Sequence, residues 1–232
     1  MSQVALKSPL VLKSPGALKR VCMRDRIRDT LVGRILDGTY PAGTQLKELY
    51  LAREFDVSQA PIREALRELE GSGLVWSQRF RGTRVKGADF AEMRESYELR
   101  MMLEMRSVEL AAPYGPELLQ DLDGYFRGMD TSVKADDSEG YIDNALRFHR
   151  RLVESSGNRT FLGVWDSLLW DIRGRIALRR LADQGKSLKT LVSLHKALLG
   201  RLRAQDVAGA TERVQAVLAR VCAAFDEDTP TR

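Results

Sequence analysis

Histidine and cysteine are almost missing from this chain, with two of each among 232 residues. Cys22 and Cys222 form neither a CxxC pair nor a repeating frame, which excludes a disulfide scaffold and makes a reducing cytoplasm the natural compartment. Two histidines, no Gly-rich phosphate loop and no Gly-x-Ser-x-Gly elbow leave no nucleophile paired with a base at a usable spacing, so no enzyme is expected. A secretory signal pattern is missing too, and no window approaches the roughly 18 uninterrupted apolar residues of a membrane span. What is present suits a soluble globular protein: 44% hydrophobic and 30% charged residues are enough to build a core. At about 150 residues per domain, the length allows one large fold or two modest ones.

The net charge of +5 is unevenly placed. Residues 1–20 sum to +4, residues 21–86 to +3 and residues 87–232 to −2. A basic N-terminal third beside a weakly acidic remainder points to a polyanionic partner for one part of the chain. Residues 1–20 repeat LKSP at 6–9 and 12–15, contain no acid and offer little apolar surface, so a disordered basic arm is expected there.

Residues 21–86 read as a separate domain. Ile27, Leu31, Ile35 and Leu36 recur at helical spacing until Asp37-Gly38 and a turn with Pro41 and Gly43. A second short helix is predicted over about 46–55. Ser58 then caps a third helix that runs to about Glu70, with Pro61 in its first turn and Gly71 and Gly73 at its end. Two short strands around a basic turn follow, over about 74–86.

Helix, turn, helix and basic hairpin form the winged helix-turn-helix plan, in which the later helix enters the major groove. On that helix Ile62, Ala65, Leu66 and Leu69 share one arc, while Gln59, Arg63 and Arg67 occupy the next at i, i+4 and i+8. Arg pairs bidentately with guanine and Gln with adenine, so this second arc carries base-reading chemistry. Beyond residue 86 only helical periods appear, over about 88–112, 115–133, 139–155, 159–183, 187–204 and 206–226. Six helices with short connections predict an antiparallel all-α bundle over residues 88–228, making the whole chain mostly α.

The stretches 35–43 (ILDGTYPAG), 51–58 (LAREFDVS), 61–66 (PIREAL), 73–75 (GLV) and 81–85 (RGTRV) resemble the GntR-type regulators over about 65 residues in order. The resemblance implies a dimeric, sequence-specific regulator, a repressor by expectation, bound to a pseudo-palindromic operator in double-stranded DNA. It implies base and phosphate contacts from Lys47, Ser58, Gln59, Ala60, Pro61, Arg63 and Arg67, with Arg79, Arg81 and Gly82 of the wing reaching the minor groove. The family usually carries Arg after the Val-Ser pair, where this chain has Gln59.

Stretches 97–100 (YELR), Leu103-Glu104, 148–158 (FHRRLVESSGN) and 195–199 (HKALL) resemble the FCD ligand-binding domain of one branch of that family. Many members of that branch look like metal-dependent sensors of carboxylates, with one Asp and three His ligands. Here His149 and His195 lie on apolar helix faces at two of the positions, but Ala145 and Val217 occupy the other two. Asp143 lies about 120° around the helix from His149 and does not substitute. First-row metals at such sites want three or more protein donors, so no metal or other cofactor is expected. A small carboxylate held by Arg100, His149, His195 and Arg173 through charge-assisted hydrogen bonds is the expected effector. Two alternatives are a bundle that only dimerises, with Arg100 paired to Glu104, and a degenerate two-histidine metal sensor.

Overall fold

The computed structural model describes residues 23–78, 82–87 and 89–226. The first unit contains α1 (Met23–Leu36), β1 (Gln45–Leu46), α2 (Glu48–Glu54), α3 (Gln59–Gly71), β2 (Val75–Gln78) and β3 (Gly82–Val85). Ile62, Ala65, Leu66 and Leu69 of α3 are all buried against Ile27, Leu31 and Val32 of α1 and Leu51 of α2. Burying each large aliphatic side chain contributes roughly 1.5–3 kcal/mol, so the apolar arc fixes which face of α3 remains outside. That outward arc is the one carrying Gln59, Arg63 and Arg67.

The wing departs from the two-stranded expectation. Gln45 and Leu46 pair antiparallel with Arg84 and Thr83, so the sheet has three strands in the order β1-β3-β2. The second helix accordingly starts at Glu48 and not Leu46. Two residues are too few to display an alternating period, which is why the sequence pattern does not separate β1 from the helix after it.

Seven helices follow: α4 (Phe90–Leu110), α5 (Pro116–Lys134), α6 (Ser138–Ser155), α7 (Arg159–Ser167), α8 (Trp170–Asp183), α9 (Leu188–Arg203) and α10 (Val207–Cys222). Asp89, Asp137, Asn158, Ser187 and Asp206 each cap a helix by accepting a backbone N–H bond, so most boundaries follow local side-chain chemistry. The single helix expected over 159–183 is instead broken at Leu168-Leu169, where Leu169 adopts a left-handed φ of 50°. No glycine or proline marks the break. It buries Trp165 and Trp170 together, with ring centres 6.0 Å apart and Trp170 edge-on to Tyr97 at 5.2 Å. Tertiary aromatic packing overrides a continuous helical pattern there.

Among the described residues no helix is long and apolar enough to cross a membrane.

Candidate functional site

The outward arc of α3 begins at Ser58, whose backbone is extended at the N-cap position but whose side chain makes no capping bond. Ser58, Ala60, Arg63 and Arg67 are exposed, and Gln59 and Pro61 are half-buried. Lys47, at the N-cap position of α2, is exposed with its ammonium 5.5 Å over the Tyr50 ring. Arg63 is held from two sides: its Nε donates to Glu48 Oε2 at 2.6 Å and its Nη2 to Gln59 Oε1 at 3.0 Å. Glu48 had no part in the sequence reading, although it opens α2 beside the arc. Gly82, with φ 78°, starts β3 in a conformation that favours glycine, while Arg79 and Arg81 lie outside the described residues. Residues 1–20, expected as a basic arm, also lie outside them.

A second polar cluster lies within the helical domain. Tyr97 and Arg100 of α4, Tyr141, Ala145 and His149 of α6, Gly174 of α8, His195 of α9 and Val217 of α10 line a cavity of about 50 Å³. Such a space holds a few water molecules. Both histidines point inward as expected and are 1–2% exposed. Arg100, 3% exposed, donates from Nε to Glu104 Oε1 at 2.6 Å and lies over the Trp170 ring at 4.7 Å. Glu104 also accepts from Trp165 Nε1 at 3.2 Å, and its Oε2 lies 2.5 Å from His149 Nδ1.

Proton positions in this cluster follow from bonding capacity. His195 Nδ1 faces the Leu191 carbonyl at 2.7 Å, so it must carry a hydrogen. In the neutral ring its Nε2 is then an acceptor, and the contact of 3.0 Å between the two Nε2 atoms requires a hydrogen on His149. A further proton is needed between His149 Nδ1 and Glu104, so these two residues share one. Burial pulls the His149 imidazole below its ordinary value, against the opposing pull of the Glu104 carboxylate; the hydrogen-bond count argues the other way, for the shared proton. Burial raises the Glu104 carboxyl, but the charges of His149 and Arg100 bring it down to about 2. Burial and the neighbouring His149 push His195 down to about 3. With Arg100 cationic and the shared proton in place, the cluster carries one net positive charge beside an apolar cavity.

Arg173, expected beside these groups, is not among the cavity-lining residues. One step along α8 from Gly174 turns it about 100° away, and its Nη2 donates to Glu92 at 3.1 Å near the start of α4. Its Nε and Nη1 are buried and make no hydrogen bond among the described residues.

The metal ligands of the resembling sensors do not fit this site. Ala145 and Val217 line the cavity where an oxygen and a nitrogen donor would stand, and Glu104 is committed to Arg100, His149 and Trp165. Among the described residues no group of three His, Cys, Asp or Glu side chains is arranged for a metal ion.

Residues 23–85 match the family model described as bacterial regulatory proteins, gntR family, and residues 95–220 match the FCD domain. The "Probable D-xylose utilization operon transcriptional repressor" of Paenarthrobacter nicotinovorans is 28% identical over 189 residues, covering 82% of each chain. The gluconate operon transcriptional repressor of Bacillus licheniformis is 29% identical over 193 residues, which is 82% of this chain and 79% of that one. A solved GntR transcriptional regulator from Rhodococcus sp. RHA1 shares the fold, with a TM-score of 0.67 at 20% identity over 89% of this chain and 99% of that one.

Proposed function

This chain belongs to the GntR family of DNA-binding transcriptional regulators and carries the family's FCD domain, and on that premise we propose that it is a homodimeric repressor released from its operator by a small organic acid. The observation that carries this reading is the buried cationic cluster at the cavity: Arg100, His149 and His195 face a space too small for a bulky ligand and too positive to be an ordinary apolar core. A carboxylate there would be met by the Arg100 guanidinium through a charge-assisted hydrogen bond, the ring nitrogens of His149 and His195 being bonded to Glu104, to the Leu191 carbonyl and to each other, and the site would work without a transition metal. Tyr141, also at the cavity wall and kept protonated by burial, offers a hydroxyl donor.

The helix α8 supplies the route from cavity to DNA. Gly174, Ala177 and Leu178 line the cavity, while Asp171 and Arg175 of the same helix meet Arg28 at 2.7 Å and Asp29 at 3.5 Å on α1 of the winged domain. A ligand that prefers one position of α8 would shift the winged domain by its differential affinity for the two arrangements. Met102 and Leu110 of α4 and Val164 of α7 are exposed apolar side chains of the helical domain, available to a second subunit.

The test is a panel of carboxylates graded by size, from formate and acetate, which suit the cavity, to sugar acids such as gluconate, which exceed it, assayed for thermal stabilisation and for operator binding. An acid that raises the melting temperature and lowers operator affinity supports the reading. Stabilisation by none of them, with DNA binding unchanged, favours a bundle that only dimerises. Near-stoichiometric zinc, nickel or manganese, lost on mutating His149 or His195, would overturn the metal-free site.

A further inference from the structure

The cavity beside Arg100 is about 50 Å³ and its two histidines are 1–2% exposed, so a molecule reaching Arg100 has to pass side chains of the cavity wall. Two larger clefts share wall residues with it. The first, about 430 Å³, lies between the winged domain and the bundle, with Val32, Gly33 and Leu36 of α1 on one side and Ile142 of α6, Arg175 and Leu178 of α8 on the other. Ile142 and Leu178 also line the cavity, so each has the cleft on one side and the cavity on the other. The second cleft, about 270 Å³, lies against α6 and the corner between α7 and α8, and shares Leu146 alone with the cavity. The two walls differ in how far they can give. Trp165 and Trp170, which line the second cleft, are buried, one donating to Glu104 at 3.2 Å and the other lying 4.7 Å from the Arg100 guanidinium, so moving either breaks the interior cluster. Leu178 is half-buried and aliphatic, and turning it to another rotamer breaks no hydrogen bond. Across the first cleft Arg175 meets Asp29 at 3.5 Å, both partly exposed, and such pairs are weak in water.

We propose that the cleft between α1 and α8 is the entrance to the buried cavity, and that Ile142 and Leu178 are the gate a small carboxylate passes on its way to Arg100. The inference rests on the reading of that cavity as a carboxylate site and adds the way in. At the mouth, Arg175 and Arg179 stand among Asp29, Asp37 and Glu139, so charge there neither draws nor bars an anion strongly and the shape of the gap decides passage. The winged domain forms one side of this doorway. Ile27, Leu31 and Val32 of α1 pack on α3, so widening the gap between α1 and α8 carries α3 along and ties ligand passage to the position of the DNA-binding domain.

The test uses formate and acetate on the full chain, with rates followed by stopped-flow tryptophan fluorescence, or by the line width of the acid's NMR resonance where exchange outruns mixing. The ring centres of Trp165 and Trp170 lie 5.5 and 4.7 Å from the Arg100 guanidinium carbon and sense its occupancy, while Trp76→Phe removes the exposed third tryptophan from the signal. Gly33 lines the cleft, has open space where a Cβ would stand and takes no part in the cavity, so Gly33→Phe obstructs the doorway alone. A residue on the path but not at the site changes the barrier and not the end states, so Gly33→Phe should slow association and dissociation by one common factor, about tenfold, at unchanged Kd. Leu178→Ala should speed both rates, and by more than Leu146→Ala, the equal truncation at the second cleft. Unchanged rates in Gly33→Phe, or faster exchange in Leu146→Ala than in Leu178→Ala, overturn the entrance while leaving the carboxylate site standing. A raised Kd in Gly33→Phe with association unchanged overturns it too, because α1 would then act on the site and not on the way to it. No binding of either acid to the unaltered protein, by fluorescence or by thermal stabilisation, overturns the carboxylate reading and the entrance with it.

Discussion

Two Arg–Glu pairs in this chain share an Nε to carboxylate distance of 2.6 Å and differ in almost everything else. Arg63 and Glu48 retain 56% and 37% of their side-chain exposure, while Arg100 and Glu104 retain 4% and 0%. The first pair is bathed in water, so its attraction is screened and its net contribution to folding is small. Its guanidinium stays open to a new partner. The second pair sits where an uncompensated charge is very costly, so it must be fully bonded, and Glu104 is, by Arg100, His149 and Trp165. The same pair of residue types thus leaves an accessible cation at the surface and sets a fixed charge pattern inside.

The comparison breaks most clearly at Glu104. Glu104→Ala leaves Arg100 and His149 without their carboxylate and should lower unfolding stability by about 3–5 kcal/mol, read from urea denaturation. A loss below about 1 kcal/mol would mean that the interior tolerates the unpaired cation as easily as the surface does.

Acid should separate the two regions next. Glu104, held down at about 2, contributes stability that is complete above its ordinary carboxyl range near 4.5 and is lost as pH falls toward 2. His195 remains neutral in the folded chain to about 3, while the unfolded chain takes up its proton near the ordinary imidazole value of 6.5, so its stability loss begins at the higher pH. Both effects have the same sign, and the urea midpoint should fall steadily from pH 6.5 downward. His195→Phe should flatten the upper part of that fall, and an unchanged pH profile would contradict the buried neutral imidazole.

Smaller effects are expected at the surface. Gln59→Ala should cost about 1–3 kcal/mol on the preferred operator and almost nothing in folding, measured by titration at fixed salt and by thermal melting. Glu48→Gln should change unfolding stability by no more than about 0.5 kcal/mol. A large stability loss from either would show that the exposed arc is structural in the way the interior cluster is.

Much of this was legible from one sequence, for identifiable reasons. The period of Ile62, Ala65, Leu66 and Leu69 is long enough to orient α3, so its outward arc follows directly, and the apolar neighbours of His149 and His195 place both rings inside. Arg100 and Glu104 are four residues apart on one helix, so their pairing was visible as an alternative to a free arginine. The rest depended on the three-dimensional packing. Trp165 meets Glu104 across 61 residues, which no spacing rule reveals. Leu168-Leu169 carries no stop signal, and Arg173 meets Glu92 across 81 residues.

The short strand β1 has a consequence for operator geometry. It runs directly into α2 while pairing with β3, so the wing and the helix pair are joined by a backbone ladder and not only by side chains. If α3 and the wing both touch an operator, as proposed, the offset between their contacts within a half-site is therefore a constant of the domain. Any rearrangement of the helical bundle has to move that reading head as a whole. In the proposed homodimer the adjustable quantity would be the distance and phase between one half-site and the other, and operators of altered internal spacing are the ruler by which it would be measured.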